Sequence, residues 1–212
     1  MLLRSTALKT ALLATTADDT RYCLNAVHVR PDGVVEATDG HILVRCTDTA
    51  PMDPADFPTV PGAASPLQPS DKGILISADH CKKLIGTMPK RATIPCLQTV
   101  NVGTIESKPY AIATDLDTPL VVALERSNDG ASFPATDRVM IKDGDRAVIR
   151  VSLSAAMLQT LARIGKEVGR TLTLEIPTDA EYLDKGAVVA GIRFTAGSGD
   201  VRAEGVVMPC RL

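Results

Sequence analysis

The chain has 212 residues, 45% of them apolar, and a formal net charge of −2. That length holds one large domain or two small ones, with a core built from Leu, Val, Ile, Ala and Met, because Trp is absent and aromatics make up 3%. A near-neutral balance excludes global attraction to nucleic acid, so any contact with DNA has to come from local clusters of Lys and Arg. Five cysteines, Cys23, Cys46, Cys81, Cys96 and Cys210, are scattered without a CxxC pair. The odd count argues against a disulfide framework and the spacing against a zinc site, and a reducing cytoplasm fits best. No apolar run is long enough to cross a membrane.

In chain order, Leu8, Ala11, Leu12 and Thr15 share one face and predict a helix over 4–15. Lys9 interrupts its apolar run, which argues against a cleaved signal. Extended stretches follow at 21–30, 34–38 and 42–47, separated by Pro31-Asp32-Gly33 and by Asp39-Gly40, which reads as a two-residue hairpin turn. Residues 50–72 carry Pro51, Pro54, Pro58, Pro61, Pro66 and Pro69, which forbid regular ladders and predict a long surface loop. The clearest helix comes next: Cys81, Leu84, Ile85 and Met88 line one face, Ser77 stands as N-cap, and Asp79 in the first turn favours the helix dipole. Strands are expected at 97–106, 110–114 and 120–126. A connector over 127–145 carries the turn signals Asn128-Asp129-Gly130 and Lys142-Asp143-Gly144-Asp145 and places a domain boundary near Asp145. The third helix spans 154–169, with Met157, Leu161, Ile164 and Val168 on one face, and strands at 171–177, 187–196 and 201–208 follow.

The pattern is a helix plus three strands, three times, with helices beginning about 75 residues apart and Ala37-Thr38-Asp39 recurring as Ala113-Thr114-Asp115. The expected class is α+β, with two such units in a domain over 1–145 and one in a half domain over 146–212. The last seven residues, Val206-Val207-Met208-Pro209-Cys210-Arg211-Leu212, stay apolar after Pro209 ends the ladder, as expected of a tail fixed against the body and offering a binding surface. Catalysis is not expected. His28, His41 and His80 lack metal-ligand spacing, no GxSxG or phosphate-binding loop occurs, and Cys23 and Cys210 read as small apolar residues. No cofactor and no metal is called for.

Three separated segments, taken in order, carry a resemblance. Asp19-Thr20-Arg21-Tyr22-Cys23-Leu24-Asn25-Ala26-Val27 followed by Ala37-Thr38-Asp39-Gly40-His41-Ile42-Leu43 is similar to the opening of the middle domain of the bacterial DNA polymerase III beta subunit, the sliding-clamp family. Phe133-Pro134-Ala135-Thr136-Asp137-Arg138-Val139 resembles the end of that domain, and Val206 to Leu212 resembles the family's C-terminus. The resemblance implies a DNA-clamp fold of repeated helix-plus-three-strand units. A clamp chain has six such units in three domains, and two chains close a ring around duplex DNA. Here there are three units: what looks like the middle domain and the second half of the last. The family's Arg after Gly-His is Ile42 in this chain.

By position, the resemblance implies a groove for the clamp-binding peptides of polymerase and other replication partners. It is lined by Leu24, Thr38, Gly40, His41, Ile42, Leu43, Pro134, Arg138, Val139, Val206, Met208, Pro209, Cys210, Arg211 and Leu212. It also implies helices whose polar faces meet the phosphates of double-stranded DNA without reading bases. Those faces would carry Lys82, Lys83, Lys90, Arg91, Arg163, Lys166 and Arg170, with Tyr22 near DNA beside Cys23, where the family has a second aromatic. The expectation is a cytoplasmic, non-catalytic processivity factor that reaches its full complement of units as a homo-oligomer. Its alternative is a regulator or decoy that binds the same peptides without encircling DNA.

Overall fold

The computed structural model describes residues 1–21, 23–59, 67, 70, 71, 73–90, 92–124, 133–140, 149–168, 171–179, 181, 183, 184, 187, 188, 190–196 and 203–210. The chain divides into two compact units, Met1–Arg138 and Val139–Leu212.

In the first unit, strand β1 (Leu2–Arg4) runs directly into helix α1 (Ser5–Leu12), which is followed by β2 (Ala26–Val29), β3 (Val35–Thr38) and β4 (Leu43–Cys46). The order then recurs: β5 (Ile74–Ser77) runs into α2 (Ala78–Thr87), followed by β6 (Thr99–Ile105), β7 (Lys108–Ala113) and β8 (Leu120–Ala123). The Ser77 hydroxyl accepts a hydrogen bond from the His80 amide at 3.2 Å, so α2 starts on the N-cap that the sequence marks. Its Cys81 and Leu84 are fully buried, as are Leu8 and Ala11 of α1.

The strands form two antiparallel sheets, in the orders β4-β3-β2-β5 and β1-β6-β7-β8. The strand leading into each helix belongs to the sheet of the other helix. Thus β1 pairs with β6, placing Leu3 opposite Val100, and β5 pairs with β2, placing Ile76 opposite Val27. Neither β1 nor β5 is expected from sequence. Each is three or four residues long and continuous with a helix, too short for period-two alternation to register. One core serves both sheets and both helices: Leu3, Leu8, Val27, Val29, Ile76, Cys81, Leu84, Val100 and Val102 meet in it. Burying each such Leu, Ile or Val fully contributes about 1.5–3 kcal/mol, so the exchanged strands add to a shared core as well as to the ladders.

The proline-rich segment is more than a surface loop. Along β7 the side chains alternate: Ala111 and Ala113 face the shared core, while Tyr110 and Ile112 face a second cluster with Phe57, Leu67, Cys96, Leu2 and Met52. The loop folds back through Phe57 and Leu67 to cover the outer face of the second sheet, an anchoring that its proline content hides.

In the second unit, α3 (Ala155–Val168) is capped by the Ser154 hydroxyl, which accepts from the Met157 amide at 3.2 Å. It is followed by β9 (Leu172–Glu175), the short hairpin β10 (Leu183–Asp184) and β11 (Ala187–Val188), then β12 (Ile192–Ala196) and β13 (Ala203–Val207). The main sheet is antiparallel in the order β13-β12-β9. The single stretch expected at 187–196 is two strands, because the chain bends at Ala190 before Gly191; an unbroken apolar run conceals the bend. Leu161, Ile192 and Val207 are the buried centre, with Val151, Leu153, Met157, Leu172 and Phe194 packed around them. Among the described residues no helix is long and apolar enough to cross a membrane.

Candidate peptide-binding and nucleic-acid surfaces

The turn after β3 is built by Thr38 and Asp39. The Asp39 carboxylate accepts hydrogen bonds from the His41 and Ile42 amides, both at 2.8 Å, and the Thr38 hydroxyl accepts from the Gly40 amide at 3.1 Å. Thr38 pairs with Leu43, so the loop has four residues and is not the two-residue hairpin expected; the aspartate gathers two amides and holds the chain wide. The amides of Ile42 and then His41 hold the Asp39 carboxyl below its ordinary range. Gly40 sits at φ +95, in the left-handed region open to glycine. Held in this way, Gly40, His41 and Ile42 are presented to solvent, Ile42 with 58% of its surface exposed.

The same loop closes β7 onto β8. Thr114 accepts from the Leu116 amide at 2.9 Å, and Asp115 from the Asp117 and Thr118 amides at 3.0 and 2.6 Å. The recurring Ala-Thr-Asp is therefore a loop-building device. At the position of Gly40 the second copy has Leu116, at φ +79.

Residues 133–138 are pinned to the outer face of the first sheet by a network whose members lie far apart in sequence. Glu36, buried in the middle of β3, accepts from the Thr136 hydroxyl at 2.7 Å and from Arg45 Nε at 2.8 Å, and its other oxygen lies 2.9 Å from His28 Nδ1. Arg45 also donates to Thr136 and, at 2.6 Å, to Asp137, to which Arg30 donates at 2.9 Å. The Phe133 ring stacks on His28 with centroids 4.8 Å apart. Burial would raise the Glu36 carboxyl, but the hydrogen bonds from His28, Thr136 and Arg45 outweigh it and leave the group below its ordinary range. Arg30, then Arg45, lower Asp137 likewise. The available signal was Glu36 inside an apolar strand, with His28 and Arg45 directly opposite on the two flanking strands. Through this network Pro134 and Arg138 are exposed on a fixed segment.

In the second unit the tail continues β13. Val207 turns inward, while Val206 and Met208 are exposed at 63% and 56%. A Cβ on Gly191 would come within 2.4 Å of Val206 Cγ1 and 3.3 Å of Met208 Sδ, so both side chains lie across bare backbone that only glycine provides. The Cys210 amide then donates to the Ser152 carbonyl at 2.7 Å, fixing the tail beyond Pro209. Val139 is exposed at 71%.

No family model and no curated protein matches the sequence. Solved structures do match, along essentially the whole chain. The DNA polymerase III beta subunit of Thermotoga maritima superposes with a TM-score of 0.62 at 15% identity, over 99% of this chain and 49% of that one. The beta chain of Streptococcus pneumoniae TIGR4 gives 0.59 at 14% identity over 100% and 49%, and the DnaN sliding clamp of Bartonella birtlesii, bound to griselimycin, gives 0.54 at 17% over 98% and 50%.

The fold is that of a bacterial sliding clamp. The chain spans about half the length of the clamps it matches. Of the groove positions implied by the resemblance, Thr38, Gly40, His41, Ile42 and Leu43 form one clamp-fold loop and its flanks. Leu24, half-buried, precedes β2, and its carbonyl accepts from the Thr16 amide at 3.1 Å. Val206, Met208, Pro209 and Cys210 form the anchored tail, and Arg211 and Leu212 lie outside the described residues. On the clamp-fold helices, Lys82, Lys83, Arg163 and Lys166 are exposed, as is Lys90 beyond α2, and Lys82 pairs with Asp79 at 3.1 Å. Tyr22, Arg91 and Arg170 lie outside the described residues. Burial pushes the Cys81 thiol up to about 12, that of an inert packing group. Among the described residues no cluster of His, Cys, Asp or Glu could hold a metal.

Proposed function

We propose that this chain is a clamp-fold DNA replication protein, non-catalytic and cytoplasmic, that binds short apolar peptides displayed by a polymerase and other replication partners. The observation that carries this reading is the pair of rigidly held apolar surfaces at the positions the clamp resemblance implies: Ile42 on the Asp39 loop, and Val206 with Met208 on the tail fixed at Cys210. Such surfaces take Leu or Phe side chains, each contributing about 1.5–3 kcal/mol on full burial. Met208 is unbranched and polarizable and adapts to different partners. In the first unit Arg138 supplies a donor for peptide carbonyls or carboxylates, with Leu24, Thr38, Leu43 and Pro134 as further proposed contacts; in the second unit the proposed contacts include Val139, Arg211 and Leu212.

Titration of the protein with a fluorescent clamp-binding peptide tests this. Ile42→Asp and Met208→Asp are each expected to weaken binding by about tenfold or more. Unchanged affinity in both variants, with folding intact by circular dichroism, would overturn the reading.

A further inference from the structure

Among the described residues, the second unit leaves exposed a face whose counterpart in the first unit is buried. Counted from the residue before each helix (Arg4, Ser77 and Ser154), the first helical residues Ser5 and Ala78 are buried, whereas Ala155 is exposed. The fourth, Leu8 and Cys81, are fully buried, whereas Leu158 is 50% exposed; the seventh, Ala11, Leu84 and Leu161, are buried in all three. On the sheet, β2 and β6 are each covered along one edge by an exchanged strand, whereas the corresponding edge of β9 has no strand partner among the described residues, and its Leu174 is exposed. The surface left open on α3 and β9 is the one that the exchange buries in the first unit.

We infer that a second copy of this chain covers that face by the same exchange. Residues 151–153 of each copy lie antiparallel on β9 of the other, and the two α3 helices pack through Ala155 and Leu158. Identical units suit each other because every copy carries both halves of the exchange, a strand leading into its helix and an open edge on its first sheet strand. The register follows from the first unit. Leu3 faces Val100 and Ile76 faces Val27, in each case the residue before the helix-preceding position against the first core-facing residue of the strand. Leu153 then faces Leu172. Two residues further out, Val151 and Leu174 form a hydrogen-bonded pair as Met1 and Val102 do, and Arg150 meets Glu175 with opposite charge. The Cys210 bond uses the Ser152 carbonyl, on the other edge of the segment, because backbone groups alternate sides along a strand.

This inference goes beyond the peptide-binding reading and is tested apart from it, by light scattering on the full chain without peptide or DNA. The expected mass is twice 22.4 kDa. Leu158→Glu, at a half-exposed helical position, is expected to weaken the dimer by about a hundredfold while leaving the circular dichroism unchanged. Arg150→Glu alone and Glu175→Arg alone each oppose like charges and weaken self-association, whereas an equimolar mixture of the two restores both pairs and recovers the dimer as a heterodimer. A strict monomer at high micromolar concentration, a dimer indifferent to Leu158→Glu, or a mixture no tighter than its components overturns the proposal.

Discussion

Two residues carry backbone or electrostatic tension that substitution can expose. Leu116 occupies the left-handed position that Gly40 fills in the matching loop, and it is half exposed, so it gains little from burial. Leu116→Gly is expected to stabilise the protein by about 0.5–1 kcal/mol, measured by urea denaturation. Glu36 holds residues 133–138 through Thr136 and Arg45. Thr136→Val removes the hydroxyl but keeps the shape and is expected to cost about 1–3 kcal/mol; Glu36→Ala, which removes the acceptor shared by His28, Thr136 and Arg45 and leaves Arg45 with Asp137 as its remaining anion, is expected to cost more than Thr136→Val. The Glu36 carboxyl is lower in the folded chain than in the unfolded one, so its contribution is fully present above the unfolded value, near 4.3, and is lost as pH falls through the folded value. Denaturation midpoints of the wild type should fall over that acidic window, and those of Glu36→Gln less steeply. Asp39 follows the same sign: NMR shifts of the His41 and Ile42 amides should titrate together, below the usual aspartate range.

At the scale of elements, the three helices and the hairpins after α1 and α2 were legible because each holds its period over enough residues. The exchanged strands were not, since β1 and β5 each contribute only one or two core-facing side chains before the helix begins. They nevertheless bury Leu3 and Ile76, and Leu3→Ala is expected to cost about 2–5 kcal/mol in a denaturation experiment that follows both sheets. The candidate site was legible by position only. Thr38, Asp39 and Gly40 stood out as a turn, but its width depends on which amides the Asp39 side chain captures; the Ala-Thr-Asp repeat carries that capture, whereas Asp39-Gly40 alone points to a two-residue hairpin. The Glu36 network was not legible because Thr136 and Asp137 join it from about a hundred residues away, although His28, Glu36 and Arg45 stand opposite one another on adjacent strands.

For the whole molecule, the proposed pairing gives each dimer two complete first units and one shared unit made of the two half domains. Lys82, Lys83, Lys90, Arg163 and Lys166 are the exposed members of the phosphate-contacting set that the resemblance implies. Replacing Arg163 and Lys166 with Glu should weaken DNA binding across all sequences and flatten the dependence of log affinity on log salt by about two units, measured by anisotropy; an unchanged slope would exclude these side chains from the contact. The strand exchange has a further consequence, in time as well as in space. The first sheet is not finished until residues 74–77 have been made, and β1 has no strand partner until residues 99–101 follow. The first unit therefore cannot fold piecemeal as it is synthesised: Leu3 stays without its strand partner for about a hundred residues of elongation, several seconds at least. In pulse-labelled hydrogen exchange during refolding, the amides of β1, β2, β5 and β6 should gain protection in a single phase.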